Sequence, residues 1–308
     1  MELRQLRYFI GVAEAGSLLK ASARLHVAQP ALGQQIAALE DEVGARLFER
    51  TSRGMALTDA GRTFLDHAKV VLADVERARA AVSASAGEPR GEVVIGLPTT
   101  AALAATVPIV RACRERLPQV RLKVIEGYSG FVREWLTAGR LDLAILYGDA
   151  PVATLALQPL VEERLALITA AAESHRPGPI ALVDVARHPL VLPGREHGLR
   201  RIVDDACAAA GLTLDVVAEI DSLPNVKRVV EAGIGRTILP AGAVAEEVAA
   251  GRLTASTITD ASMLRRVMLA RSVARPASLA ATAVAALTVD LIRGMVAAGA
   301  WPGRWIGD

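Results

Sequence analysis

Along the N-terminal part of the chain, apolar positions recur three and four residues apart. Leu3, Leu6, Phe9, Ile10 and Ala13 form one stripe, Leu18, Ala21 and Leu25 a second, and Leu32, Ile36 and Leu39 a third, which is the period of amphipathic helices. The pattern predicts three short helices around one small core, within residues 1 to about 58. Ser17 is placed to accept a free backbone N–H at the start of the second helix, and Pro30 suits the first turn of the third. Only His26 to Gln29 separate these two, so a tight turn joins them. Arg46 to Leu57 then reads as two short strands turning at Ser52 to Gly54. From Thr58 a long helix is expected to about Ser85, with Thr58 as N-cap and Asp59 favourably placed in the first turn. Along it Phe64, Ala68, Val71, Val75, Ala78 and Val82 alternate spacings of four and three residues, a heptad seam that calls for a partner helix. A second copy of the chain is the expected partner; packing onto its own domain is the alternative.

Gly87, Pro89 and Gly91 mark a hinge, beyond which strands alternate with helices. Strands are expected at Val93 to Leu97, Val120 to Glu126 and Leu141 to Leu146, around helices at Ala101 to Arg116 and Phe131 to Ala138. That order is βαβ organisation with a parallel sheet. Further strands are expected at Leu165 to Thr169, Leu190 to Leu192, Val216 to Ile220, Thr237 to Leu239 and Val267 to Ala270. These are too many for one small sheet. Two α/β lobes divide them, the chain crossing near Leu160 to Glu163 and returning near Leu264 to Val267, with a cleft between. The expected organisation is a head over residues 1–58, a linker helix and hinge over 59–90, and a third region over 91–308. In that region lobe I takes about 91–161 and 267–308, and lobe II about 162–266.

A chain of 308 residues can bury several cores. The apolar fraction is 52% with 3% aromatics, so alanine-rich helices explain the excess. The most apolar late stretch, Leu279 to Trp301, is interrupted by Asp290 and Arg293 and reads as a packed helix, with no membrane role expected. The start carries Glu2 and Glu14 and no long apolar export core, so a cytoplasmic location is expected. Cys113 and Cys207 are far apart, each in a helical apolar stretch, which argues against a disulfide framework. A redox role for Cys207 lacks a nearby second cysteine. A formal net charge of +2 gives no bulk argument for nucleic acid, so any such binding rests on local patches and shape. No G-x-S-x-G elbow, Walker loop, H-E-x-x-H pair or strand-linked G-x-G-x-x-G occurs. No catalytic residue, metal or cofactor is therefore expected, and an enzyme is disfavoured. A plain solute-binding protein would leave the helical head without purpose.

The run Ser17-Leu-Leu-Lys-Ala-Ser-Ala-Arg-Leu-His-Val-Ala-Gln-Pro-Ala-Leu-Gly-Gln-Gln-Ile-Ala-Ala-Leu-Glu40, followed by Gly44-Ala-Arg-Leu-Phe-Glu-Arg50 and Leu57-Thr-Asp-Ala-Gly61, resembles the N-terminal signature of LysR-type transcriptional regulators. The order of long helix, hinge and two-lobed α/β region agrees with that family over the whole chain. Leu3-Arg-Gln-Leu-Arg-Tyr-Phe9 and Ala28-Gln-Pro-Ala-Leu-Gly-Gln-Gln-Ile36 look most like its nitrogen-assimilation-control subgroup. The resemblance implies an α+β multidomain fold: a winged helix-turn-helix, a linker helix that dimerises, and an effector domain similar to periplasmic binding proteins. It also implies a bacterial, homotetrameric regulator, a dimer of dimers on a promoter dyad of T-N11-A type, in contact with RNA polymerase. A small-molecule effector, an organic acid or sulfonate, would bind between the lobes; action without an effector remains the alternative. Gly33 stands where relatives usually carry serine, and Ala28 lacks their capping hydroxyl, two departures that bear on target preference.

The residues allow a physical reading beside the resemblance. With Leu32, Ile36 and Leu39 turned inward, the third helix presents Pro30, Gly33 and Gln34 on a slim face that fits a major groove. Gln29 and Gln34 offer paired amide atoms to a base edge or reach phosphates. Arg50, Thr51 and Arg53 match the family's backbone-gripping wing, where guanidinium groups suit phosphates or the minor groove. Arg46 is open to a pairing with Glu42 instead. For the effector, Thr99 and Thr100 follow one strand at a helix start, Ser129 follows the next, and Ser222 and Leu223 do so in the second lobe. Converging helix starts favour an anion beyond the strand ends. Tyr147 joins them, with Arg195, His197 or Arg200 at the rim; ordinary capping and surface positions are the alternatives.

Overall fold

The computed structural model describes residues 1–51, 54–83, 88–148, 151–173 and 178–308, with the backbone alone for 80–83. The chain divides into two units, Met1–Gly87 and Glu88–Asp308.

The first unit opens with α1 (Leu3–Ala15), α2 (Leu18–Leu25) and α3 (Gln29–Val43). Ser17 Oγ accepts the Lys20 N–H at the start of α2, and His26, at φ 54, turns the chain sharply into α3. Ala28 precedes α3 without a side-chain cap, leaving Pro30 in the first turn to begin the helix. The wing is β1 (Phe48–Thr51) paired antiparallel with β2 (Gly54–Leu57). Gly54, at φ +128, lies against the Gly16 carbonyl, which accepts the Met55 N–H at 2.8 Å. A Cβ at Gly54 would collide with that oxygen, so the close approach requires glycine.

The linker helix α4 (Asp59–Ser83) behaves differently from a seam exposed along its whole length. Phe9 packs against Phe48 and Phe64 with ring centroids 5.1 and 5.0 Å apart, and Ala68 is buried in the same core. Phe64 and Ala68 are therefore drawn into the head by α1. Val71 and Ala78 stay exposed and Val75 half-buried; Val82 lies outside the described side chains.

Glu40 connects α3 and the wing. Its carboxylate is buried at the end of α3, accepts the Leu47 and Phe48 N–H groups at 2.7 and 3.0 Å, and pairs with Arg46 at 2.9 Å. Arg46 thus pairs with Glu40 rather than Glu42, because the chain doubles back over the α3 terminus and brings its backbone to the inner carboxylate.

The second unit runs β3 (Gly91–Pro98), α5 (Thr99–Arg116), β4 (Val120–Gly127), α6 (Ser129–Thr137), β5 (Leu143–Tyr147) and then the long β6 (Leu155–Ala170). It continues with α7 (Leu182–Val185), β7 (Pro189–Leu192), α8 (Gly198–Ala209), β8 (Asp215–Glu219), α9 (Leu223–Glu231) and β9 (Thr237–Pro240). A 3₁₀ turn, α10 (Ala245–Ala249), β10 (Leu253–Thr257), β11 (Leu264–Ser272), α11 (Leu279–Ala297) and β12 (Arg304–Trp305) complete it. In the first lobe β3 pairs parallel with β4 and β5, and β11 lies antiparallel between β5 and β6. In the second, β9 and β10 pair antiparallel with the far end of β6, while β7 pairs parallel with β8. One strand therefore serves both lobes.

The sequence pattern shows only the second-lobe end of β6. Pro159 and the run Glu162-Glu163-Arg164 break its apolar rhythm, yet these charges are taken up laterally. Glu162 pairs with Arg304 of β12 at 2.8 Å, and Glu163 with Arg265 of β11. The strand continues because its neighbours supply counter-charges. Strand β10 has no clear signal in the pattern: Leu-Thr-Ala-Ser-Thr carries one large apolar residue, Leu253, which is buried. The apolar α11 buries Val284, Leu287 and Ile292 in the first lobe's core.

Glu40→Ala is expected to leave two buried N–H groups without an acceptor, costing about 2–4 kcal/mol. Hydrogen exchange should accelerate at the Leu47 and Phe48 amides; unchanged exchange at both would contradict the role given to Glu40.

Candidate functional site

In the first unit, α3 buries Leu32, Ile36 and Leu39 and leaves Gln29, Pro30 and Gln34 exposed, with Gly33 half-buried. A Cβ at Gly33 would meet nothing within 4 Å, so the missing side chain thins this face without serving the packing. Arg50 and Thr51 are exposed at the end of β1, where the Thr51 hydroxyl donates to the Gly54 carbonyl at 3.3 Å. Arg53 lies outside the described residues.

In the second unit a cavity of about 50 Å³ lies between the lobes. Thr99, Thr100, Ser129, Tyr147, Leu223 and His197 are on its wall. Ser222 is not; it precedes α9 without forming a cap bond, and Asp221 faces the cavity in its place. Three helices without a side-chain cap begin at this wall: α5 at Thr99, α6 at Ser129 and α9 at Leu223. Each presents free N–H groups and the positive end of its dipole.

The residue that organises the floor is Arg265, which is absent from the sequence-predicted site. It is 2% exposed and stands opposite Glu163 in the β6–β11 register, where the chain crosses between lobes. Its Nε and Nη2 donate to Glu163 Oε2 at 2.8 and 2.5 Å, and the Trp301 Nε1–H donates to Glu163 Oε1 at 2.6 Å. Arg265 Nη2 also donates to Thr100 Oγ1 at 3.1 Å, and that hydroxyl shares a 2.5 Å hydrogen bond with the Tyr147 hydroxyl. The guanidinium lies 3.7 Å from the Tyr147 ring centroid, a cation–π contact. Burial pushes the Tyr147 hydroxyl up, the Arg265 charge opposing it, so it stays protonated and able to donate. Burial also opposes the charge on Arg265, but Glu163 and Tyr147 together outweigh it and hold the guanidinium above its usual range. The signal for Arg265 lies in the sequence: two adjacent arginines and two adjacent glutamates at the two expected crossings.

Arg200 departs from its expected place at the rim. It is buried and held by Asp204 and Glu219, each at 2.8 Å, and by the Pro193 carbonyl at 3.2 Å. Two carboxylates on its own lobe satisfy the guanidinium and draw it away from the cavity. Arg195 is exposed in an outer groove with Phe131 and Glu134. Across the mouth the Tyr128 hydroxyl donates to the Asp221 carbonyl at 2.6 Å, and its ring meets the edge of His197. The two lobes are thus bonded over the cavity. His197 Nδ1 accepts the Leu199 N–H at 3.1 Å, so the neutral ring carries its proton on Nε2. Among the described residues no cluster of three or more His, Cys, Asp or Glu could hold a metal ion.

The chain matches "Bacterial regulatory helix-turn-helix protein, lysR family" over residues 3–62 and "LysR substrate binding domain" over residues 86–297. It is 36% identical to the nitrogen assimilation regulatory protein nac of Klebsiella aerogenes over 294 residues, 95% of each chain. Full-length OxyR from Pseudomonas aeruginosa has a TM-score of 0.70 at 25% identity, covering 95% of both chains. CbnR complexed with its target DNA gives a TM-score of 0.70 at 24% identity, over 96% of this chain and 99% of that one; this second likeness concerns the fold. The identity to nac agrees with the subgroup that the N-terminal runs suggest.

Burial pushes His197 below its ordinary value of 6.5, Arg265 and Arg201 adding to this and Asp221 opposing it. The unfolded chain therefore takes up this proton first as pH falls. The associated stability is complete above pH 6.5 and is lost as pH drops toward the lower folded value. His197→Asn keeps an N-cap acceptor and removes the titration. As pH is lowered from 6.5, its melting temperature should fall less than that of the parent protein; parallel curves would refute the assignment.

Proposed function

The chain belongs to the LysR family of bacterial transcriptional regulators, and from that premise we propose how its parts divide the work. The α3 face carrying Gln29, Pro30, Gly33 and Gln34 enters a major groove. Arg50, Thr51 and Arg53 grip the flanking backbone. The remainder of the α4 seam, Val71, Val75, Ala78 and Val82, pairs with a second copy and sets two heads on the half-sites of a dyad of T-N11-A type. Two such dimers form the working tetramer in the cytoplasm, in contact with RNA polymerase. The inter-lobe cavity holds a small effector with an acidic group, a carboxylate or sulfonate, and its occupancy alters the arrangement of the heads. Catalytic turnover is no part of this reading.

The observation that carries the effector assignment is the meeting of three helix starts and a buried arginine at one cavity. Each helix start contributes roughly half a positive charge. Together they favour an anion even though Glu163 already balances Arg265. For the head, support comes from the contrast within α3: one face fully buried, the other bare and almost free of bulky side chains. Relatives named as regulators, and the fold shared with a DNA-bound protein, agree with this.

Arg50→Ala with Arg53→Ala is expected to weaken binding to every DNA duplex. In fluorescence anisotropy at several salt concentrations, the slope of log affinity against log salt should fall in magnitude by about two, one unit for each phosphate no longer neutralised. Binding with unchanged affinity and slope would reject the wing assignment.

A further inference from the structure

We propose that the inter-lobe cavity selects a short carboxylic acid bearing a second hydrogen-bonding group, the carboxylate meeting Arg265 and the second group meeting Thr237 on the opposite lobe. This deepens the effector reading above and rests on it. Three observations lead to it: size, an unspent donor and an unpartnered hydroxyl.

The cavity measures about 50 Å³. At roughly 10–15 Å³ for each water-sized position, that is space for about four such positions. A benzene ring with a carboxylate does not fit while Tyr128 bonds Asp221 across the mouth. An acid of two to four carbons does. Pro193, Ile220, Val226 and Leu239 line the space between the polar walls, suiting a short aliphatic stem.

On the first lobe, Arg265 spends Nε and Nη2 on Glu163 and Thr100. Among the described residues Nη1 has no hydrogen-bond partner, and Arg265 lines the cavity. A carboxylate there would receive the Nη1 donors in a site already held rigid by Glu163 and Trp301. On the second lobe, Thr237 of β9 sits at the wall, 1% exposed, and its Oγ1 is buried without a partner among the described residues. Its strand neighbour in the register is Ile168 of β6, which offers no side-chain acceptor. A buried hydroxyl left unsatisfied is costly. A ligand with a hydroxyl or oxo group beside its carboxylate answers both walls at once and so ties the lobes together; acetate answers one.

The test is isothermal titration calorimetry of the full-length protein with acetate, glycolate, lactate, pyruvate and benzoate. Lactate or pyruvate should bind at least about tenfold more tightly than acetate, the worth of one good buried hydrogen bond, and benzoate more weakly than either. Thr237→Val should bring lactate to within about twofold of acetate, leave acetate unchanged and leave the protein at least as stable thermally. Thr237→Ser should keep the preference. Glu163→Gln with Arg265→Gln, which removes both buried charges together, should abolish binding of every acid. If acids bind and the double variant abolishes it, but no preference for lactate or pyruvate exists or Thr237→Val leaves it intact, the selection proposed here is overturned and the cleft remains the effector site. If the double variant binds acids as the parent does, the effector reading of the cleft itself fails.

Discussion

The second unit depends on one buried ion pair. Glu163 and Arg265 face each other where the chain passes between lobes, both almost fully buried. Removing either partner alone would strand a charge out of water, at a cost of about 3–5 kcal/mol. The pair therefore ties the β6–β11 register to the position of the cavity floor. Trp301 fixes one Glu163 oxygen, and Arg265 carries the geometry on to Thr100 and Tyr147. A crossing that must stay polar is thus turned into a rigid wall, and the two strands around it are the ones that link the lobes.

A similar arrangement, on a smaller scale, organises the head. The buried Glu40 carboxylate joins the end of α3 to the first residues of the wing, so helix and hairpin are set by one group. The other device is aromatic: Phe9 gathers Phe48 of the wing and Phe64 of α4. With its core satisfied this way, α3 has no further packing duty on its outer face. That leaves Gln29 and Gln34 exposed, as the proposed contact with DNA requires.

Much of this is legible in the sequence because the governing signals are local. Helical stripes, the Ser17 cap, the glycine-bounded wing and the βαβ rhythm depend on neighbours a few positions apart, and the elements follow them closely. Thr100, Ser129 and Leu223 are readable as helix starts after strands. What escapes such a reading is decided by distant partners. Charges inside β6 read as a strand end until Arg265 and Arg304 neutralise them from other strands. Arg200 looks available until two carboxylates of its own lobe hold it. Phe64 and Ala68 fit a heptad seam, and nothing nearby in sequence announces that α1 will claim them. Thr237 carries no signal, since an unpartnered hydroxyl is defined only by the space around it.

Filling the cavity between the lobes is held to rearrange the heads on DNA, and every other assignment converges on that coupling. Hydroxyl-radical footprinting of the full-length protein on a dyad fragment, with and without a saturating short acid, measures it most directly. The protected tract is expected to change in length or spacing when the acid is added. Identical footprints, with the acid shown to be bound, would contradict the coupling.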